Sequence, residues 1–283
     1  MKVGAHVGSS GGLTTAFGRA QEIGAEAIQI FGAPPQVWKR RIIRPEECEA
    51  FRASMQETGI EPVFIHGVYL INLATEAPEQ LERSCDALSG DVRLASAIGA
   101  RGVIFHTGSH KGAGFEKVLP QIAGALERCL KDTPDDAWII IENSAGAGGG
   151  VGGKFSEIGA IMKAVGSKRL KVCIDTQHAY AAGYDLSKQD GLDAAMQELD
   201  KHVGLKNFVA VHANDSKIAL GGGVDRHDNI GDGHIGRAGF ELIMAHPAFR
   251  AVPFLLEVPG EDKKGPDKAN VDMLKKIRSK TAG

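Results

Sequence analysis

The stretch KVCIDTQHAYAAGYD, residues 171–185, starts as a buried strand and ends as something else. Val172, Cys173 and Ile174 are apolar and mostly β-branched, which suits a strand covered on both faces. Asp175 then closes the run, and His178 follows three residues later. The same pattern recurs along the chain. Apolar strand-like runs occur at KVGAHV (2–7), AIQIF (27–31), PVFIH (62–66), GVIFH (102–106), WIIIEN (138–143), KVCID (171–175), NFVAVH (207–212) and PFLLEV (253–258).

Segments with helical spacing lie between them, such as 13–24, 78–99 and 115–130. Several of these segments end in glycine, as helix C-caps often do. Apolar strands alternating with helices predict a parallel sheet covered by helices. Eight such units predict an α/β fold, a closed (β/α)₈ TIM barrel spanning residues 1–283 as one domain. An open doubly wound sheet is the alternative.

Composition sets bounds on function. The formal net charge is −2, so any nucleic-acid binding has to come from a local patch or from bound metal. The four cysteines are widely spaced with no CxxC pair, and they read as reduced thiols of a cytoplasmic protein. No apolar run approaches membrane-spanning length, so no membrane partner is expected. The near-match to a phosphate-binding loop at 148–155 ends in Phe155 instead of a hydroxyl residue, and it reads as a glycine-rich loop beside the site.

In a barrel of this kind the C-terminal strand ends form the active face. Those ends carry His66, His106, Glu142, Asp175, His212 and Glu257 on six consecutive strands. His178 follows strand six, and Asp225 and His227 lie in the loop after strand seven. A single His or Asp at a strand end is ordinarily a cap or a satisfied core polar group. Six in register read as a ring of metal ligands. Four converging carboxylates also require cations to offset their repulsion. Mixed imidazole and carboxylate donors suit zinc, with manganese or iron possible at some positions, better than magnesium or calcium. Nine ligands exceed one tetrahedral zinc and predict two or three ions. Such a cluster suits phosphoryl transfer. His6, at the end of strand one, reads as a supporting or structural residue.

The motifs GAHVGSSGGL (4–13), HGVYLINLAT (66–75), FHTGSH (105–110), IENSAGAGG (141–149), CIDTQHAYAAGYD (173–185), HANDSK (212–217), VDRHDNIGDGHIG (224–236) and LEVPG (256–260) resemble, in order, those of the endonuclease IV family of apurinic/apyrimidinic endonucleases. The resemblance implies a DNA-repair hydrolase with three zinc ions that cuts the backbone 5′ to abasic sites, leaving a 3′-OH, and removes 3′-blocking groups. It implies that His66 and His106 hold one zinc, that Asp175, His212 and Glu257 hold a second, and that Glu142 bridges the two. His178, Asp225 and His227 would hold the third. The nucleophile would be a hydroxide between the first two ions. Glu142, Asp175 and Glu257 are then the catalytic carboxylates; which of them handles the nucleophile's proton stays open.

The implied partner is double-stranded DNA with abasic sites or blocked 3′ ends, bound by a monomer. Tyr69 and Leu70 would wedge into the duplex. Gln36 stands where the family usually carries Arg, two positions before Trp38, and Lys39, Arg40, Arg41 and Arg44 could grip nearby phosphates. The rival enzymatic reading is a sugar isomerase or epimerase of the xylose-isomerase-like class. A rival of another kind is a lesion-binding protein without catalysis.

Overall fold

The computed structural model describes residues 1–39 and 42–281. Eight parallel strands close into a barrel: β1 (Val3–His6), β2 (Ile28–Phe31), β3 (Val63–His66), β4 (Gly102–His106), β5 (Trp138–Glu142), β6 (Leu170–Asp175), β7 (Phe208–His212) and β10 (Phe254–Leu256). β1 pairs with β2 on one side and with β10 on the other, so no edge is left open. Each of the eight apolar runs forms one barrel strand. The predicted closed barrel is the observed one, and the doubly wound alternative is excluded.

Helices α1 (Thr15–Ile23), α2 (Pro45–Thr58), α3 (Pro78–Ile98), α4 (Phe115–Lys131), α5 (Phe155–Val165), α7 (Gln189–His202), α8 (Gly236–Ala245) and α9 (Lys268–Thr281) surround the barrel. The helical spacing of 78–99 is realised as α3, which stops at Gly99 in the left-handed region at φ 74°. Short α6 (Thr176–Ala182) follows β6 directly, and a small antiparallel pair, β8 (Asp215–Ser216) with β9 (His227–Asp228), lies over the C-terminal mouth.

Two apolar layers hold the fold. The larger packs the helices on the outer strand faces, with Phe51, Leu88, Ile122, Ile158, Phe240 and Leu274 among its buried members. The smaller fills the lumen with Ala27, Phe64, Ile104, Ile140, Cys173, Ala210 and Leu255. The period of two explains the division: Ile140 faces the lumen while Ile139 and Ile141 join the outer core. One step further along the same inward register stand Glu142 and Asp175. The four cysteines are buried and unpaired. Among the described residues no helix is long and apolar enough to cross a membrane.

Candidate metal centre

Strands β3 to β7 end on His66, His106, Glu142, Asp175 and His212, and parallel pairing places His106 beside Glu142 and Asp175 beside His212. Glu257 lies one residue past β10, with its amide donating to Asn214 Oδ1 at 2.9 Å. Asp175 caps α6: its Oδ1 accepts from the His178 amide at 2.9 Å. One turn of helix from that cap brings His178 back over the carboxylate, which explains the three-residue spacing.

His227 arrives from the long loop after β7. Asp215 secures that loop: its buried carboxylate accepts from the amides of Gly231, Ile235 and Gly236 at 2.9–3.2 Å. A Cβ at Gly233 would stand 2.5 Å from Asp215 Oδ1, so only glycine lets the loop pass this closely. Asp225, on the same loop, has a side chain 59% exposed and approaches His178 Nε2 at 3.3 Å and His227 Nε2 at 3.2 Å.

Nine side chains thus converge at one end of the barrel. They fall into three groups whose donor atoms lie within 4.8 Å of one another: His66, His106 and Glu142; Asp175, His178 and His227; and Glu142, Asp175, His212 and Glu257. Glu142 and Asp175 each belong to two groups. Asp225 borders the second group through its contacts with both histidines.

The imidazoles are oriented from behind. His66 Nδ1 faces the carbonyl of Gly67 at 2.7 Å, His178 Nδ1 that of Asn143 at 3.0 Å, and His227 Nδ1 that of Glu257 at 3.2 Å. His212 Nε2 faces Gln29 Oε1 at 2.8 Å. A carbonyl can only accept, so each of these nitrogens carries the proton. The opposite nitrogen then presents a lone pair to carboxylate oxygens. Those contacts run from His66 Nε2 to Glu142 at 3.3 Å, from His227 Nε2 to Asp175 at 3.5 Å, and from His212 Nδ1 to Glu257 at 3.3 Å.

A lone pair facing a carboxylate is repulsive unless a cation stands between them. Two donors about 2.1 Å from one tetrahedral ion lie roughly 3.4 Å apart, which matches these separations. His227 Nε2 is moreover buried 3.2 Å from Asp225 and 3.5 Å from Asp175, with neither contact in hydrogen-bond geometry. The residues present fit a cluster of divalent ions.

Where a proton on the imidazole takes the place of that cation, the electrostatics point the same way. Burial alone would raise the Glu142 carboxyl, but positive charge on His106 and His212 and the contacts with His178 and His212 hold it well below the usual carboxylate range. Glu257, partly buried, is likewise held low by His212 and His6. His227 is pushed up to about 9: burial opposes the proton, and Asp175 and Asp225 outweigh it. The protein has built a negative basin that draws positive charge.

Sequence reasoning misses three residues that organise this basin. Gln29 faces the lumen from β2, and its Nε2 donates to Glu257 Oε1 at 2.6 Å. Its signal is a lone polar side chain inside AIQIF, on the inward register. Asn214 Nδ2 donates to Asp175 Oδ2 at 2.7 Å, and Asp215 holds the loop; both sit in HANDSK, where the strand-end pattern singles out only His212. His6 Nδ1 lies 3.3 Å from Glu257 Oε1 and 2.9 Å from Gln29 Nε2, beside the ring of donors.

The residues expected to touch DNA surround the same mouth. The Tyr69 ring is 54% exposed and stands 5.5 Å from the His66 ring. Leu70 is half-buried and packs on the outer core. Gln36 and Lys39 are exposed, and the Tyr69 amide donates to the Pro35 carbonyl at 2.9 Å, tying the two loops together. Arg44 caps α2 and pairs with Glu46 and Glu47. Arg40 and Arg41 lie outside the described residues. Six of the nine donors, His66, His106, His178, Asp225, His227 and Glu257, line a cavity of about 590 Å³ together with Tyr69.

Fold and site together define a class: a (β/α)₈ barrel with a His/Asp/Glu metal-type centre at its C-terminal mouth. The family described as xylose isomerase-like TIM barrel matches residues 17–278. A probable endonuclease 4 of Methanoculleus marisnigri is 38% identical over 97% of this chain and 98% of its own length. One from Halobacterium salinarum is 39% identical over 99% of this chain and 100% of its own. Endonuclease IV from Thermus thermophilus superposes with a TM-score of 0.88 at 31% identity, covering 99% of this chain and 100% of that one. The chain belongs to the endonuclease IV family of apurinic/apyrimidinic endonucleases, and it is an enzyme of that family. A D-tagatose 3-epimerase-like protein, TM-score 0.73 at 17% identity, shares the fold.

Proposed function

We propose that this enzyme is a zinc-dependent DNA-repair endonuclease. It hydrolyses the phosphodiester 5′ to an abasic site, leaves a 3′-OH, and removes 3′-blocking groups. The carrying observation is the set of four imidazoles locked from behind, with their free nitrogens turned toward carboxylates. His66 and His106 would hold one ion, and Asp175, His212 and Glu257 a second, with Glu142 available to both. His178, Asp225 and His227 would hold the third, with Asp175 beside them. Bound zinc supplies Lewis-acid polarisation of the phosphodiester and stabilises charge on the attacking and leaving oxygens.

The chain's own part is positioning. Glu142, Asp175 and Glu257 are the catalytic carboxylates, and they fix the spacing of the centre. Gln29, Asn143 and Asn214 fix the angles of the donors. Tyr69 enters the duplex at the missing base, where no stacked partner resists it. Leu70 backs it, and Gln36 and Lys39 approach the strand from the neighbouring loop. Residues 1–283 act as one domain, as a monomer in the cytoplasm, on double-stranded DNA.

Elemental analysis of the gel-filtered protein should find close to three ions per chain, mainly zinc. The same preparation should cut a duplex containing an abasic analogue and leave intact duplex and ketoses unchanged. Two deeply shared carboxylates make the ions slow to leave, so prolonged chelation should abolish incision where brief chelation does not. One ion or none, with full incision after prolonged chelation, would overturn the reading.

A further inference from the structure

The opposite mouth of the barrel, at the N-terminal strand ends, holds a second cavity, of about 500 Å³. That end of a (β/α)₈ barrel ordinarily serves stability. Here the inward register carries chemistry instead. Strand β5 places Trp138 at the bottom of the lumen, below Ile140 and Glu142, and β6 places Lys171 there, below Cys173 and Asp175. Gly102 on the neighbouring strand leaves the space that the tryptophan covers: a Cβ there would stand 2.8 Å from Trp138 Cβ.

Positive charge crowds this mouth. Lys171 Nζ lies 6.0 Å from the Trp138 ring centre and Arg101 Cζ 5.7 Å from it. Lys2 and Lys206 complete the rim. The carboxylate among the cavity's lining residues is Glu61, on an exposed 3.8 Å contact with Lys2. Asp136, on the loop before β5, is turned away and accepts from Ser96 Oγ at 3.1 Å, and Asp135 acts on Arg169. The Lys171 ammonium is pushed down, first by burial and then by the charge of Lys206. Phe64 and Leu205 supply apolar wall.

We propose that this basal cavity binds a small organic anion with a flat apolar body and a phosphomonoester head, the chemistry of a nucleoside monophosphate. Three lining cations, Lys2, Arg101 and Lys206, stand against one carboxylate, with Lys171 beside Trp138 and donating to Asn207 Oδ1 at 2.9 Å. This balance favours a dianionic head over a single carboxylate, since a phosphomonoester carries about −1.5 to −2 charges at neutral pH. The volume falls within the usual range of small-molecule pockets, and the aromatic and aliphatic wall suits a planar ring. The cavity is separated from the metal centre by the lumen layer of Ile104, Ile140 and Leu255. The proposal therefore stands apart from the proposed function.

The chain has two tryptophans, so Trp38→Phe leaves Trp138 as the sole tryptophan fluorophore. Deoxyadenosine monophosphate should quench it saturably, with a Kd below about 1 mM, or roughly 4 kcal/mol of binding. Deoxyadenosine and inorganic phosphate, each carrying half of the ligand, should bind at least about tenfold more weakly. Lys171→Met combined with Lys206→Ala should weaken the nucleotide about tenfold or more at unchanged melting temperature. Adding Glu142→Gln should leave the quench intact, because that change touches only the far mouth. No saturable quench in the folded protein, equal binding of phosphate alone, or undiminished quench in the lysine double variant would each overturn the proposal. If that double variant melts early, Arg101→Gln replaces it, with the same expected loss.

Discussion

Gln29 Oε1 lies 2.8 Å from His212 Nε2, across 183 residues of chain. The same amide gives its Nε2 to Glu257 Oε1 at 2.6 Å. One uncharged side chain thereby fixes the tautomer of an imidazole and the orientation of a carboxylate in one donor group. Gln29→Leu keeps the size and removes both hydrogen bonds. Residues behind metal ligands commonly change affinity by about 10- to 100-fold when altered. We expect the variant to lose ions to chelator at lower chelator concentration by a factor in that range, with incision falling in parallel. Zinc content and incision after graded chelation read both effects. Wild-type retention of metal would mean that Gln29 is only filling space.

Glu142 is fully buried and belongs to two donor groups. Glu142→Gln preserves the shape and removes the charge that two ions would share. Incision of an abasic duplex should fall by on the order of a thousandfold or more, since charge compensation at such a centre supplies several kcal/mol. Duplex binding should persist, because Tyr69 and Lys39 are untouched. Gel-shift and incision assays on one preparation separate the two outcomes, and near-normal incision would remove Glu142 from the reaction.

Tyr69 and Leu70 differ in exposure, and their substitutions should differ in kind. Tyr69→Ala removes a half-exposed ring that meets Phe31 and His66 edge-on and lies near the His106 ring. It should weaken binding and incision of the abasic duplex by about tenfold, a share of the few kcal/mol at stake in unstacking a step. Hydrolysis of a small phosphodiester should change little. Leu70→Ala should instead lower the melting temperature, because Leu70 packs on the core. Equal losses on both substrates for Tyr69→Ala would make it a structural support.

Glu26 ties the barrel's closure to the last helix. Its carboxylate accepts from Arg278 at 2.5 and 2.9 Å and from the Val3 amide at 2.9 Å. Burial would raise its pKa, but those hydrogen bonds win and bring it from 4.5 to about 2. The unfolded chain therefore binds this proton more readily than the folded one. The stabilisation is complete above about pH 4.5 and is lost as the pH falls toward 2. Glu26→Gln should cost about 1 kcal/mol at pH 7, the upper end for partly exposed pairs. That corresponds to a few degrees of melting temperature. The gap to wild type should close between about pH 4.5 and 2, with incision at pH 7 unchanged. A gap that stays constant with pH would assign the effect to packing.

The sequence by itself determined the barrel and the identity of its ligand-type residues. Period-two apolar runs, helical spacing and a polar residue at six consecutive strand ends are local patterns, and local sterics and burial decide them. The glycine stops of α1 and α3 were legible for the same reason.

Tertiary structure alone decided the pairing. Glu142 and Asp175 are common to two donor groups because closing the barrel brings strands β3 to β7 and β10 onto one mouth. Nothing in the spacing of IENS or CIDT encodes that sharing. Gln29 reaches His212 and Glu257 only because β1, which separates β2 from β10 in the barrel, is followed at the mouth by converging side chains. The difference in burial between Tyr69 and Leu70 depends on the Pro35 loop and the core beneath it. Strand and helix follow from contacts a few residues apart; a metal centre requires side chains from remote segments to meet, and only the closed barrel sets those distances.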